Sequence, residues 1–350
     1  MDSYSKNSSG QIALSVLDLA HVLSGKSIAE ALNNSLDLAR HAESLGYKRY
    51  WLAEHHNMEG IASSATSVLI GYIASGTSTI RVGSGGIMLP NHAPLIIAEQ
   101  FGTLAQLYPG RIDLGLGRAP GTDHLTAMAL RRQLNAGVDD FPQNVQELRK
   151  YFLADNQYSK VRAVQAEGMD VPVWLLGSSA YSAQLASILG LPFCFASHFA
   201  PNMLHSSLKL YRDDFQPSEI LEKPYSMACI NVIAADTDEE AAFLATSLYQ
   251  AFLNVIKGKA YPMKPPVANM DDLWNDMEAY AVNQMLTYTF IGSPETLKTK
   301  IQQFADQTQV DELMIVSPIY DHTARLKSYG IVAGLQLQHH HTEFNLLPKQ

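Results

Sequence analysis

The fold is decided by residues Ile80–Arg118, which read IRVGSGGIMLPNHAPLIIAEQFGTLAQLYPGRIDLGLGR. This stretch starts with a short apolar run at Ile80–Ser84, continues with a longer segment at Pro94–Leu107 and ends with another apolar run at Ile112–Leu116. Short apolar runs are typical of strands, whereas the longer amphipathic segment is typical of a helix. The order strand, helix, strand predicts one βαβ unit with two parallel strands.

The same alternation continues on both sides of this unit. Ser27–Leu45 has the signature of a capped helix, because Ser27 is followed three residues later by Glu30 and Gly46 stands at the end. Acidic residues at the start of Thr237–Ile256 also suit a helix N-terminus. Strands are predicted at Ile12–Leu17, Tyr50–Ala53, Ile80–Ser84, Ile112–Leu116, Val173–Leu176, Phe193–Ala196, Ser226–Ala234 and Glu312–Ser317. Helices are predicted at Ser27–Leu45, Ser63–Ser75, Pro94–Leu107, Thr122–Tyr158, Ser179–Gly190, Asn202–Phe215, Thr237–Ile256 and Thr323–Leu337.

This repetition predicts an all-parallel sheet, either open and doubly wound or closed into a barrel. Eight repeats over roughly 250 residues favour the α/β class and the (β/α)8 TIM barrel. The rest of the chain is then expected in two insertions, Ala119–Val171 after strand 4 and Lys257–Gln284 late in the chain. No linker or internal repeat divides the sequence, so we expect one domain over residues 1–350.

Composition excludes several classes of protein. The 350 residues are 47% hydrophobic and 17% charged, which is typical of a folded globular chain. The net charge is 25 − 34 = −9, without a basic run, so neither nucleic acid nor an anionic membrane surface is an expected partner. No apolar run is long enough to span a membrane, and the polar N-terminus predicts no secretory signal. Two cysteines predict a reducing, cytoplasmic location rather than a disulfide framework.

Active sites of parallel barrels lie at the carboxyl ends of the strands, so the residues after each strand are the candidates. The second strand is followed by Glu54, His55, His56 and Asn57. Because neighbouring strand residues point to opposite faces, only one of the two histidines is expected to face the barrel mouth. An imidazole there can donate or accept a proton near neutral pH. The alternative is that the pair only caps a loop.

The third strand is followed by the glycine pair Gly85 and Gly86. Two adjacent glycines indicate a bulge or the close approach of a flat ligand to the backbone, although a plain turn is the alternative. Further candidates for a partly apolar substrate pocket follow the third and sixth strands, together with the second histidine of the pair. They are His56, Met88, Leu89, His92, His198 and Phe199.

An anion site is predicted where the fourth and fifth strands end. Arg118 follows the fourth strand among glycines, and a guanidinium binds phosphate bidentately. Gly177, Ser178 and Ser179 follow the fifth strand and open a helix, whose first N–H groups attract anions. Taken singly, Arg118 also fits a surface arginine and the serines fit ordinary N-caps. Taken together, they predict one phosphate site shared by adjacent strands.

The remaining metal-binding residue types predict no metal site. Cys194 and Cys229 lie in predicted strands and are expected to be inert packing residues. The tract His339–His341 lies beyond the last predicted helix. A metal-dependent barrel hydrolase needs carboxylate and imidazole ligands clustered at several strand ends, and the sequence offers too few of them.

Three long segments carry a family resemblance. They are YKRYWLAEHHN at Tyr47–Asn57, GSGGIMLPNH at Gly83–His92 and PGRIDLGLGR at Pro109–Arg118. The sequence resembles the luciferase-like flavin monooxygenases, the superfamily of bacterial luciferase, over about Ala13–Gly334. The resemblance implies a (β/α)8 barrel that binds FMN, usually as reduced FMN from a separate NAD(P)H:flavin reductase. It also implies C4a-peroxyflavin chemistry with O2 as co-substrate.

Residue roles follow from the resemblance position by position. His55 is similar to the catalytic histidine beside the flavin, and Gly85–Gly86 falls where luciferase has a non-proline cis peptide under the isoalloxazine ring. Arg118 and Ser178 fall on the phosphate-binding positions. Two residues depart from luciferase: Gly117 replaces a reactive cysteine and Gly177 replaces a glutamate. Light emission therefore does not follow from the resemblance.

Two further segments have counterparts in the family. The proline-rich segment Lys257–Asn269 resembles the family's mobile active-site loop, which would exclude water from the reaction. The helix Ser63–Ser75 is rich in small residues and corresponds to the dimer-interface helix, so we expect a homodimer. Two alternatives stay open at this stage, a deazaflavin-dependent hydride-transfer oxidoreductase of the same superfamily and a flavin-binding protein without turnover.

Overall fold

The computed structural model describes residue 4 and residues 10–119, 121–130 and 140–340. Eight parallel strands close into a barrel in which β1 pairs with both β2 and β9, so the predicted (β/α)8 TIM barrel is confirmed. The barrel strands are β1 (Ala13–Asp18), β2 (Arg49–Leu52), β3 (Arg81–Met88), β4 (Ile112–Gly117), β5 (Val173–Gly177), β6 (Phe193–Phe195), β7 (Ser226–Ala234) and β9 (Glu312–Val316). A ninth strand, β8 (Thr289–Gly292), pairs only with the last residues of β7.

Helices surround the barrel and follow the strands in the chain. They are α1 (Ile28–Ser44), α2 (Thr66–Ser75), α3 (Pro94–Leu107), α4 (His124–Leu130), α5 (Phe141–Phe152), α6 (Ala180–Leu189), α7 (Leu204–Asp213), α8 (Asp238–Ile256), α9 (Asp276–Met285), α10 (Pro294–Thr308) and α11 (His322–Gly334). No helix in these described ranges is both long and apolar enough to cross a membrane.

Local sequence explains where the helices begin. Ser27 Oγ accepts the Glu30 N–H at 3.1 Å, and Glu30 Oε2 accepts the Ser27 N–H at 2.9 Å, so the predicted capping box of α1 is present. At the start of α8, Thr237 Oγ1 accepts the Glu240 N–H at 3.1 Å. Each cap satisfies an N–H group that has no partner inside the helix.

The strands separate two apolar layers. Tyr50 and Leu52 of β2 pack in the main core between the sheet and the helices, whereas Trp51 belongs to a cluster inside the barrel with Trp174. This is the period-two alternation of a strand buried on both faces. The inward positions of β2 therefore lead from Arg49 through Trp51 to the residues at the barrel mouth.

A buried ionic layer fills the amino-terminal end of the barrel interior. Arg49 Nη1 donates to Asp113 Oδ2 at 2.9 Å and Arg49 Nε donates to Glu312 Oε1 at 2.9 Å. Arg81 Nη2 donates to Asp113 Oδ1 at 2.7 Å, and Tyr225 donates to Glu312 Oε2 at 2.9 Å. Burial alone raises the pKa of Asp113, but Arg49 and Arg81 hold it below its usual value.

The structure corrects several predicted boundaries. Strand β3 continues to Met88, so the Gly85–Gly86 pair lies inside the strand and not after it. The segment predicted as helix at Thr122–Tyr158 contains α4, α5 and a short 3-10 helix at Ala154–Tyr158, with residues 131–139 outside the described part. Strand β8 and helices α9 and α10 were not predicted.

Candidate functional site

A cavity of about 820 Å³ opens at the carboxyl ends of the barrel strands. All eight barrel strands or the residues just after them contribute to its wall, as expected for the active-site end of this fold. Its volume lies in the upper part of the range of cofactor and ligand pockets, about 300–1,000 Å³. The cavity can therefore hold a cofactor together with a small substrate.

Gly85 and Gly86 form part of the cavity floor. The peptide bond between them is cis, as the resemblance implies. The pairing of β3 with β4 shifts in register at this point, between Ser84 and Ile87. A Cβ atom on Gly85 would lie 2.6 Å from Leu17 Cδ1, and one on Gly86 would lie 2.7 Å from the Gly115 carbonyl oxygen. Only glycine fits, and the backbone itself is presented to the cavity.

The predicted anion-binding groups meet beside this floor. Arg118 follows β4, and its guanidinium lies 4.0 Å from the centre of the Tyr181 ring. No carboxylate in the described ranges lies within ion-pair distance of Arg118. The positive charge of Arg118 is therefore stabilised by an aromatic ring and not by a counter-ion. The guanidinium is available to bind an anion.

The start of α6 completes this anion site. Ser179 is the N-cap residue, yet its hydroxyl accepts no hydrogen bond from the first turn of the helix. Ser178 and Ser179 both line the cavity together with Gly177, where a Cβ atom would lie 2.5 Å from Ser182 Oγ. The first N–H groups of α6 and two serines thus lie at the same end of the cavity as Arg118, which stacks on Tyr181 of α6, and this donor set suits a phosphate.

Besides His56, three imidazoles border the cavity. They belong to His21 after β1, His55 after β2 and His198 after β6. Their Nδ1 atoms are shielded from solvent and make no hydrogen bond to any described part of the chain. Burial lowers the pKa of His55, lowers that of His21 to about 4 and lowers that of His198 to about 3. All three rings are therefore neutral at pH 7.

A buried carboxylate holds two further histidines. Glu54 Oε1 accepts from His56 Nε2 at 2.9 Å and from His92 Nε2 at 2.8 Å, while Glu54 Oε2 accepts the Met88 N–H at 3.0 Å. Burial raises the pKa of Glu54, but these hydrogen bonds outweigh it and the pKa is lowered overall. The carboxylate joins the segment after β2 to the end of β3 and fixes the His56 ring.

The segment after α8 covers the cavity. Gly258, Lys259, Ala260, Tyr261 and Met263 line its roof. The Gly60 N–H donates to the Ala260 carbonyl at 2.8 Å, and the Met263 N–H donates to the Val22 carbonyl at 2.9 Å. The segment that resembles the family loop is thus bonded across the mouth to the segments after β1 and β2.

The cavity floor also carries both cysteines, Cys194 and Cys229, as free thiols. Burial raises the pKa of each thiol, which disfavours the reactive thiolate form. Both are protonated at pH 7, in agreement with their predicted role as packing residues.

Most of the predicted site residues line this cavity. They are His55, His56, Gly85, Gly86, Met88, Arg118, Gly177, Ser178, Ser179, His198 and Phe199. The structure does not bring His92 or Leu89 to the wall, because the His92 ring is turned to Glu54 and Leu89 is packed in the main core. Both His55 and His56 border the cavity, where only one was expected.

Sequence reasoning missed His21 and Asn231 as functional candidates, and it placed Glu54 after the second strand without giving it a role. His21 and Asn231 line the cavity, and Glu54 fixes His56. A signal existed for Asn231, since an amide within the apolar strand β7 is unusual, but none existed for His21 in a loop. In the described ranges no group of three or more metal-ligating side chains forms a metal site, and His340 bonds Asp306 while His341 lies outside them.

The family model for luciferase-like monooxygenases matches residues 12–312. The chain belongs to this family. The luciferase-like monooxygenase of Escherichia coli (strain K12) is 57% identical over 325 residues, which cover 93% of this chain and 97% of the relative. N-acetyl-S-alkylcysteine monooxygenase of Bacillus subtilis (strain 168) is 31% identical, covering 93% and 98%. The crystal structure of apo-MsnO8 superposes with a TM-score of 0.87 at 35% identity, covering 93% and 98%.

More distant structures share the fold of this luciferase-like chain. The oxygenating constituent of 3,6-diketocamphane monooxygenase from Pseudomonas putida, in complex with FMN, has a TM-score of 0.67 at 16% identity and covers 93% and 98%. An F420-dependent secondary alcohol dehydrogenase has the same TM-score and identity, covering 93% and 99%. Within this fold, FMN and a deazaflavin are both used.

Proposed function

We propose that the chain is a flavin-dependent monooxygenase that uses reduced FMN and O2 to oxygenate a small organic substrate. The observation that carries this proposal is the anion site at one end of the cavity. Arg118 has no carboxylate partner in the described ranges, and it stands with the uncapped start of α6 beside the bare backbone of Gly85–Gly86. A phosphate followed by a flat ring fits this arrangement.

Each part of FMN would have its own residues. Arg118, Ser178, Ser179 and the first N–H groups of α6 would hold the phosphate. The Gly85–Gly86 backbone would lie against the ring, and Gly177 leaves the approach to the phosphate site open. When bound and reduced, the flavin supplies electrons for the activation of O2, and the protein supplies position and a dry environment.

His55 is the residue we propose for proton transfer. Its ring borders the cavity and is neutral at pH 7, because burial lowers its pKa. A neutral imidazole with a nitrogen that has no partner in the described chain can accept or deliver a proton at the reacting centre. The roof over the cavity excludes water while this occurs.

The partners follow from the proposed chemistry. A separate NAD(P)H:flavin reductase would supply reduced FMN, and the chain would work as a homodimer. Free, protonated Cys194 and Cys229 suit a reducing cytoplasm.

The first experiment tests the phosphate site by flavin fluorescence titration of the purified protein. We compare FMN with riboflavin, which lacks the phosphate, on the wild type and on Arg118→Met. The loss of a charge-assisted interaction predicts about 10- to 100-fold weaker FMN binding and unchanged riboflavin binding. Arg162→Met, at an exposed ion pair with Glu167, is the matched control. Equal effects on FMN and riboflavin would rule out the phosphate role.

The second experiment tests oxygen chemistry. The complex with photoreduced FMN is mixed with aerated buffer, and flavin re-oxidation is followed by stopped-flow absorbance in the wild type and His55→Gln. We expect the time course of re-oxidation to differ between protein-bound FMN and free FMN. We expect His55→Gln to alter the time course of the bound FMN without changing FMN affinity. Re-oxidation identical to free FMN, or binding of a deazaflavin in preference to FMN, would favour the deazaflavin oxidoreductase instead.

A further inference from the structure

The order of strands divides the barrel mouth into two arcs. Around the barrel the order is β1, β2, β3, β4, β5, β6, β7 and β9, so β2 and β6 lie opposite each other. His55 follows β2 and His198 follows β6, and the two residues therefore stand on opposite sides of the cavity. The arc from β3 to β5 carries the glycine pair, Arg118 and the serines. The other arc, from β6 through β7 and β9 to β1, is unused by the proposed cofactor.

The wall of this second arc is mainly apolar. Val316 is the last residue of β9, Pro318 lies just beyond that strand, and Leu19 lies just beyond β1. Leu248 and Phe252 of α8 complete the wall from the helix layer. Apolar surface of this kind binds the hydrocarbon part of a ligand, because its burial removes that part from water.

The second arc is also free of charge. Among the cavity-lining residues of the described chain, Arg118 and Asp123 belong to the cofactor side, and the remaining charged one is Lys259. Lys259 is exposed on the roof, with its Nζ atom 5.5 Å from the centre of the Tyr261 ring. His21 and His198 are neutral at pH 7. An ionised substrate group placed there would lose its hydration without gaining a counter-ion.

Two polar groups stand at the β6–β7 end of this arc. Asn231 Nδ2 donates to the His198 carbonyl at 2.6 Å and to Thr289 Oγ1 at 3.2 Å. These bonds use both amide hydrogens and fix the backbone at His198, which leaves Asn231 Oδ1 as an acceptor on the wall. The His198 ring has no hydrogen bond to the described chain and packs edge-on against Phe199 at 4.8 Å.

We propose that the arc from β6 through β7 and β9 to β1 is the substrate site, and that it takes an uncharged organic molecule with an apolar chain and one hydrogen-bonding group. His198 binds that group, a carbonyl or hydroxyl, through a ring nitrogen, and Asn231 Oδ1 accepts from it where it is a hydroxyl. The wall of α8 and β9 binds the chain. His198 is thereby the residue that determines specificity. This inference rests on the proposed function only in assigning the opposite arc to the flavin.

The test compares matched ligands by isothermal titration calorimetry on the FMN-loaded protein. Short- to medium-chain 2-alkanones present a neutral carbonyl, and n-alkanoates of equal length present a carboxylate. The 2-alkanones are expected to bind at least about tenfold more tightly, since the carboxylate has no partner in this arc. The substitution His198→Leu keeps the volume similar and is expected to weaken 2-alkanone binding about fivefold, which is the order of one net hydrogen bond.

The controls separate this proposal from the proposed function. His205→Leu, at an exposed histidine of α7, is expected to change the affinity for neither ligand. Tighter binding of n-alkanoates, no 2-alkanone binding at any chain length, or unchanged 2-alkanone affinity in His198→Leu overturns the substrate site. If FMN itself does not bind, the proposed function fails, and the same titrations without FMN still decide the substrate site.

Discussion

At the scale of single residues, the site depends on imidazoles that stay neutral. His21, His55 and His198 border one cavity, and burial lowers the pKa of each. A charged ring would lose its hydration, and for His21 and His55 this cost exceeds the attraction of Asp18 and Glu54 respectively. Neutrality makes each ring both a donor and an acceptor, so the same side chain can bind a substrate or move a proton.

This neutrality predicts a pH dependence of stability. The usual histidine pKa is about 6.5, whereas that of His198 is about 3. As pH falls below about 6.5, the unfolded chain takes up protons that the folded chain does not, so stability is lost as pH falls toward the folded pKa. We expect Tm to fall between pH 7.5 and pH 5, and less steeply in His198→Leu.

Thermal unfolding followed by circular dichroism gives the two Tm curves. His205→Leu is the control, because its exposed ring should leave the slope as in the wild type. Parallel curves for the wild type and His198→Leu would contradict the buried neutral state of His198.

Some residues were predictable from sequence and others were not. Residues directly after a strand, such as His55, Arg118 and Ser178, are placed at the mouth by the fold itself. His21 stands beyond the strand, in a loop whose position depends on the bridge from His21 to Ile61. His92 was assigned to the pocket by its position after β3, but a carboxylate from another strand turns its ring away.

At the scale of elements, the roof depends on one glycine. Gly60 donates its N–H to Ala260 and accepts the Val22 N–H at 2.9 Å, so it joins the roof to the segment after β1. A Cβ atom at Gly60 would overlap the Tyr261 carbonyl. Because that neighbour is backbone, it cannot turn aside as a flexible side chain does.

We therefore predict that Gly60→Ala displaces the roof while the barrel stays folded. The lysines of this segment, Lys257, Lys259 and Lys264, then become better trypsin sites. Limited proteolysis followed by mass spectrometry should show several-fold faster cleavage there. Gly334→Ala is the control, since a Cβ atom at Gly334 meets no atom within 4 Å. Cleavage at the wild-type rate in Gly60→Ala would show that the roof does not depend on this contact.

The barrel strands were predictable because each is a short apolar run, but β8 was not. Of its four residues, Thr289–Gly292, the first three are half-buried, and the strand pairs only with the end of β7, so no strong burial pattern marks it. Helix α10 did leave a signal. Pro294 stands at its first position, and Leu297, Ile301 and Phe304 recur on one face.

At the scale of the whole molecule, the ionic layer of the barrel interior affects stability. Arg49 bonds both Asp113 and Glu312, and all three side chains are inaccessible to solvent. Arg49→Met would leave these carboxylates with fewer partners in a buried place. We predict a loss of about 3–5 kcal/mol in the free energy of unfolding, measured by urea denaturation.

The surface pair Arg162–Glu167 provides the comparison for this loss. Arg162→Met removes an exposed ion pair, and its expected effect is at most about 1 kcal/mol. Similar losses for Arg49→Met and Arg162→Met would mean that the interior layer contributes no more than a surface contact.

Assembly belongs to the same scale. Val68 and Tyr72 expose apolar side chains on α2, the helix for which the sequence predicts a dimer interface, and Ile96 does so on α3. We predict that the wild type is a dimer and Val68→Arg a monomer in sedimentation velocity experiments. Val164→Arg, at an exposed valine outside the helices, should remain dimeric. A monomeric wild type, or a dimeric Val68→Arg, would contradict this interface.

The two cysteines on the cavity floor have a consequence for the lifetime of the protein. A flavin that reacts with O2 releases hydrogen peroxide whenever it turns over without substrate, and peroxide oxidises thiolates far faster than thiols. Burial keeps Cys194 and Cys229 protonated. Under the proposed chemistry, reaction of the flavin with O2 in the absence of substrate would thus leave both cysteine sulfurs unoxidised. The burial of the two thiols would protect the enzyme from inactivation by its own peroxide.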